Sequence, residues 1–141
     1  SIKVVKPEKT FHLYDDTYNA NPLSMASAIS SSSNIKDSKH RFLILGDMKE
    51  LGTDEISYHL ELKQTIAQSQ PGKVILCGEL MKHLWQAIEE DSAFNHIKKG
   101  WYPSVEEIVE NIDSWIEDDD HVILKASNSM GFKQVIDYFK E

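Results

Sequence analysis

Three short polar stretches hold most of the residues whose types and spacing suggest chemistry. They are Asp15-Asp16-Thr17-Tyr18-Asn19-Ala20-Asn21-Pro22, Gly46-Asp47-Met48-Lys49-Glu50-Leu51-Gly52 and Lys125-Ala126-Ser127-Asn128-Ser129-Met130-Gly131. Together they offer carboxylates, carboxamides, hydroxyls and lysine. The third stretch also opens a predicted helix, whose free N–H groups favour an anion. Each piece has a plain structural reading beside the chemical one. Asp15 and Asp16 suit a turn, Asn21 suits a helix cap, and Gly46 and Gly52 suit turn geometry. Ser127 or Ser129 is a good N-cap, and a lysine at a strand end such as Lys125 is ordinarily solvated. His59 lies on a predicted helix, where a surface or hydrogen-bonded histidine is commoner than a catalytic one. The six histidines show no ligand spacing, so no metal site is expected.

The elements around these stretches decide whether they can meet. Apolar β-rich runs precede each one: Phe11–Tyr14 ends at Asp15, Arg41–Leu45 at Gly46, and His121–Lys125 at Ala126. Lys73–Cys77 is a further strand, Ile97–Tyr102 a short one, and Ile2–Val5 a candidate edge strand. Helices are expected between them. One begins at Asn21-Pro22, with Asn as cap and Pro at the first helical position, and ends in the serines from Ser30 to Asn34. Another covers Asp54–Ser69, and Leu80, Leu84 and Ile88 mark a third. Ser104 and Glu107 form a capping box ahead of the stripe Val105, Ile108, Val109, Ile112, Trp115 and Ile116. The last helix carries Phe132, Val135, Ile136 and Phe139. The acidic run Glu117–Asp120 reads as a solvated turn, and the three tryptophans as packing residues.

Continuously apolar strands alternating with helices predict a Rossmann-like, three-layer α/β domain. Its mainly parallel sheet would have about six strands, with helices on both faces. Residues 1–141 read as a single domain. In such a sheet ligands bind beyond the carboxyl ends of the strands, which places the three polar stretches on one edge.

Composition narrows the partners. The net charge of −8 argues against a broad nucleic-acid interface. No apolar run reaches the roughly 20 residues a membrane helix needs, and no signal peptide is visible at the start. Cys77, the single cysteine, lies in an apolar strand and reads as a buried, inert thiol. These features fit a cytoplasmic protein. The chain opens on Ser1 rather than Met, so a fragment is expected.

Asp-Asp-Thr-Tyr-Asn-Ala-Asn-Pro, Gly-Asp-Met-Lys-Glu-Leu-Gly and Leu-Lys-Ala-Ser-Asn-Ser-Met resemble three signatures of the Mur ligase C-terminal domain. The resemblance is to its D-alanyl-D-alanine-adding (MurF) type, in that family's order, with His59 also matching. It implies a three-domain cytoplasmic enzyme of peptidoglycan synthesis. That enzyme would join D-alanyl-D-alanine to a UDP-N-acetylmuramoyl-tripeptide, using ATP and magnesium, through an acyl phosphate. By similarity, Asp16, Tyr18, Asn19 and Asn21 would contact the nucleotide. Lys125, Ser127, Asn128 and Ser129 would face the dipeptide or the developing charge. Asp47, Glu50 and His59 would organise the intervening loop. No catalytic residue and no metal ligand is assigned to this domain. Asn128 stands where the family usually has Arg, which removes a forked, permanent cation. The chain has no G-x-x-x-x-G-K-[ST] phosphate loop. The family carries that loop in its central domain, so this domain would supply one wall of a cleft and be inactive alone.

Other readings compete. A phosphoacceptor receiver module also pairs Asp residues with a late lysine, but here the middle strand ends in Cys77-Gly78 instead of Asp. Another Mur ligase, or a folylpolyglutamate-synthase-type enzyme, usually shows His where this chain has Asn19 or Asn21. A non-catalytic binding domain is the third alternative.

Overall fold

The computed structural model describes residues 2–141. Six strands form: β1 (Ile2–Val5), β2 (Thr10–Asp16), β3 (Arg41–Gly46), β4 (Lys73–Cys77), β5 (Lys98–Tyr102) and β6 (His121–Lys125). They make one sheet in the order β1-β2-β6-β3-β4-β5, with β1 antiparallel to β2 and the rest parallel. The helices are α1 (Pro22–Ser32), α2 (Glu55–Leu60), α3 (Leu62–Ser69), α4 (Met81–Glu89), α5 (Val105–Trp115) and α6 (Lys133–Lys140). Side chains alternate across the pleat, so each strand feeds two cores. Phe42, Ile44, Ile75, Val122 and Leu124 pack with α5 and α6 on one face. Leu43, Leu45, Val74, Leu76 and Ile123 pack with α1, α3 and α4 on the other. This is the expected three-layer α/β architecture.

Local departures from expectation have physical causes. Strand β2 runs on to Asp16, because Asp15 and Asp16 pair in register with Leu124 and Lys125 of β6. Helix α1 persists to Ser32, whose hydroxyl donates to the Ile29 carbonyl at 2.5 Å. The expected helix over Asp54–Ser69 breaks into α2 and α3 at Glu61. At α5 only the Ser104 half of the capping box forms, its hydroxyl accepting the Glu107 N–H at 3.4 Å. The third polar stretch opens a three-residue 3-10 turn, Asn128–Met130, and not the α-helix itself. Neither serine caps that turn. Among the described residues no helix is long and apolar enough to cross a membrane.

The acidic run is a solvated turn except at its last residue: Glu117, Asp118 and Asp119 are exposed, with the turn at Asp118–Asp119, but Asp120 is not. Asp120 is fully buried beneath the N-terminal ends of the strands. It pairs with buried Lys73, accepts the Glu117 N–H at 2.8 Å, and holds His40 Nδ1 at 3.0 Å. Lys73 also donates to the Trp115 carbonyl at 2.7 Å and to Glu117 at 3.0 Å. That lysine holds the Glu117 carboxyl below its ordinary range. The pattern hides this because the partners lie 44 to 47 residues apart in sequence.

Candidate functional site

The strand order creates one crevice. After β6 the chain passes to α6 on one face of the sheet. After β2 and β3, the strands on either side of β6, it passes to α1 and α3 on the opposite face. Chains leaving neighbouring strands in opposite directions open a gap beyond their carboxyl ends, where ligands of such sheets bind. All three polar stretches border that gap.

Two hollows occupy it. The larger, about 480 Å³, is lined by Tyr18, Asn19, Lys49, Glu50, Ser127, Asn128 and Ser129. The smaller, about 270 Å³, is lined by Asp15, Asp16, Thr17, Tyr18, Asn128 and Lys133. Tyr18 and Asn128 border both. Tyr18 is 85% exposed, an aromatic residue left uncovered at the mouth of the gap. Glu50 adopts a left-handed backbone (φ 61°) that a non-glycine residue rarely takes. Among the described residues no three His, Cys, Asp or Glu side chains gather to hold a metal.

The other expected site residues stand behind this lining. Asn21 is the N-cap of α1: its side chain accepts the Ser24 N–H at 2.9 Å, and Ser24 Oγ accepts the Asn21 N–H at 3.1 Å. Lys125 is buried, not solvated, and bridges Asp16 at 2.9 Å. Ser127 crosslinks two strand exits. Its N–H donates to the Asp47 carbonyl at 3.1 Å, and its hydroxyl accepts the Lys49 N–H at 2.9 Å.

Asp47 and His59 hold the loop after β3. The buried Asp47 carboxylate accepts the Met81 N–H at 2.8 Å and the Leu80 N–H at 3.3 Å, at the start of α4. A carboxylate there also complements the helix dipole. Gly78 makes room for it: a Cβ at that position, already at φ 109°, would fall 2.4 Å from Asp47 Cγ. Cys77 beside it is buried, and burial reinforced by Asp47 pushes its thiol up to about 12, well away from a reactive thiolate. His59 is fully buried. Its Nε2 accepts the Met48 N–H at 3.0 Å and its Nδ1 donates to the Glu55 carbonyl at 2.6 Å. An amide can only donate and a carbonyl only accept, so these partners select the neutral ring protonated at Nδ1.

With this geometry in view, comparison with known proteins decides the family. The profile described as "Mur ligase, glutamate ligase domain" matches residues 2–128, a span that contains the first two polar stretches and most of the third. The chain belongs to the Mur ligase family. It is similar to UDP-N-acetylmuramoyl-tripeptide–D-alanyl-D-alanine ligase of Bacillus subtilis, 25% identical over 138 residues, covering 96% of this chain and 29% of that protein. The Rickettsia prowazekii ligase of the same name is 28% identical over 125 residues, covering 89% of this chain and 26% of that one. The fold matches MurF from Acinetobacter baumannii with a TM-score of 0.75 at 20% identity, over 99% of this chain and 30% of that one. MurF ligase from Thermotoga maritima, solved in complex with ADP, matches with a TM-score of 0.65 at 22% identity, over 98% and 29%. The chain thus spans less than a third of its Mur ligase relatives.

Within this Mur ligase domain, four lining residues escaped the sequence reading as site residues: Asp15, Thr17, Lys49 and Lys133. Asp15, Thr17 and Lys49 sit inside the quoted stretches and were detectable there. Lys133 carries no sequence signal, because only the turn at Gly131 (φ 73°) brings the start of α6 back to the hollow.

Proposed function

We propose that this chain is the C-terminal domain of an ATP-dependent, MurF-type peptidoglycan-precursor ligase and forms one wall of its nucleotide and dipeptide cleft. One observation carries the reading: three polar exits from separate strands meet in a single crevice beyond β6. The named Mur ligase relatives supply the reaction class.

In the full enzyme a carboxylate oxygen of UDP-N-acetylmuramoyl-tripeptide attacks the γ-phosphorus of ATP, and ADP leaves. The amine of D-alanyl-D-alanine then attacks the acyl carbon of the resulting acyl phosphate. The attacking nitrogen loses a proton, and the tetrahedral intermediate collapses to the amide as phosphate departs with the former carboxylate oxygen that bridged carbon and phosphorus. Tyr18 presents an aromatic face to the purine, Asn19 flanks it, and Asp16 accepts from a ribose hydroxyl. Asn21 serves this wall by starting α1 in place. Asn128 and Ser129 offer donors on the dipeptide side, with Ser127 fixing the turn that carries them. Asp47, Glu50 and His59 shape the loop opposite. The family implies magnesium, but no cluster of ligands for it exists among the described residues, and no step is assigned to it on this domain.

This wall's contribution is closure, which excludes water and sets the amine near the acyl phosphate. The full chain should therefore release ADP only when both the tripeptide precursor and the dipeptide are present. Residues 1–141 alone should release none. ADP release by the isolated domain would refute this division of labour, and a full chain inert toward both substrates would refute the function.

A further inference from the structure

Lys125 is the one cation in the three polar stretches that reaches neither hollow. Only 2% of its side chain is exposed. Its Nζ lies 2.9 Å from Asp16 Oδ2 and donates to the Asn19 carbonyl at 3.0 Å. Asp16 and Lys125 are direct register partners on adjacent strands, so the ion pair is built into the sheet. Holding the Asn19 carbonyl fixes the peptide just beyond Tyr18. Meanwhile 53% of the Asp16 side chain stays exposed, facing the smaller hollow. A lysine fits this task because its long stem can cross from one strand end to a neighbouring loop and still supply several donors.

We propose that Lys125 is a positioning residue for the nucleotide side of the cleft, and that it does not contact the incoming dipeptide. Its ammonium orients the Asp16 carboxylate and roots the Tyr18-Asn19 turn. Beyond it, Ala126 packs against the close-approach face of Gly46, and Ser127 bonds the loop after β3. The Lys125–Ser127 segment thus clamps both walls of the crevice from behind. The inference rests on the ligase reading above.

The test uses the full chain. Lys125→Met should raise KM for ATP about tenfold, the scale of one charge-assisted hydrogen bond. KM for D-alanyl-D-alanine should stay within about twofold. Lys125→Arg should restore part of the nucleotide affinity. Asp16→Asn should mimic Lys125→Met, and the double variant should be no worse than either alone, as expected for one coupled pair. A rise in KM for the dipeptide with KM for ATP unchanged would overturn the proposal, as would a lower melting temperature with both KM values unchanged. Should Lys125→Met fail to fold, the Kd of an ATP analogue for Asp16→Asn and Lys125→Arg decides the same point. If the wild-type chain has no ligase activity, the functional reading fails, and that same Kd still reports on Lys125 separately.

Discussion

Replacing Asp120 with Ala should destabilise residues 1–141 by about 3–5 kcal/mol, the scale for removing one partner from a buried ion pair. Lys73 would keep the exposed Glu117, the Trp115 carbonyl and the face of the Phe42 ring, while it remains almost wholly out of water. The Glu117 N–H and His40 would lose their acceptor together with it. Against a typical domain stability of about 5–15 kcal/mol, this is a large fraction. The double variant Lys73→Met, Asp120→Asn removes both charges of this buried pair and should recover part of the loss. Urea unfolding followed by tryptophan fluorescence reads both, since Trp115 is bonded to the network through its own carbonyl. A loss below about 1 kcal/mol would mean that Asp120 belongs to the solvated turn with the rest of the acidic run.

His59→Ala should cost about 2–4 kcal/mol. It empties a fully buried site and strands the Met48 N–H without an acceptor. The same bond makes stability depend on pH. Burial holds the folded His59 below its ordinary value of 6.5, because the site accepts only the neutral ring. Above about pH 6.5 the folded and unfolded chains are both neutral there, and the full contribution is present. As pH falls through 6.5, the unfolded chain binds a proton that the folded chain refuses, so stability drops until the lower folded value is passed. His121, also lowered by burial and by His12, adds an effect of the same sign. His59→Gln keeps an acceptor for Met48 and removes the proton. Its stability should therefore fall less than that of wild type between pH 7.5 and 5. Identical pH profiles for the two proteins would contradict the assigned ring state.

These two effects mark where sequence reading succeeds and where it stops. The strands were legible because β3, β4 and β6 each carry an unbroken apolar run, as strands covered on both faces do. Helix α1 was legible from Asn21-Pro22, since capping is local chemistry. Legible too was the meeting of the three polar stretches, because strand ends in a parallel sheet share an edge. The roles behind the lining were not. Lys125 and Asp120 look like exposed charges until a partner over 40 residues away removes them from water. Periodicity reports which face is apolar, and it carries no information about which polar side chain finds another across the sheet. The break at Glu61 escaped for the opposite reason: both halves are helical by local preference, and Glu61 between them keeps right-handed helical dihedrals (φ −62°, ψ −21°).

Hydrogen exchange on the full chain, with and without a non-hydrolysable ATP analogue, tests the central claim most directly. The account predicts added protection in residues 15–21, 47–52 and 125–131, the three exits that border the crevice beyond β6. Unchanged exchange in all three would contradict it. So would protection confined to the opposite edge of the sheet, around the hollow lined by Lys39, Gly72 and Lys98.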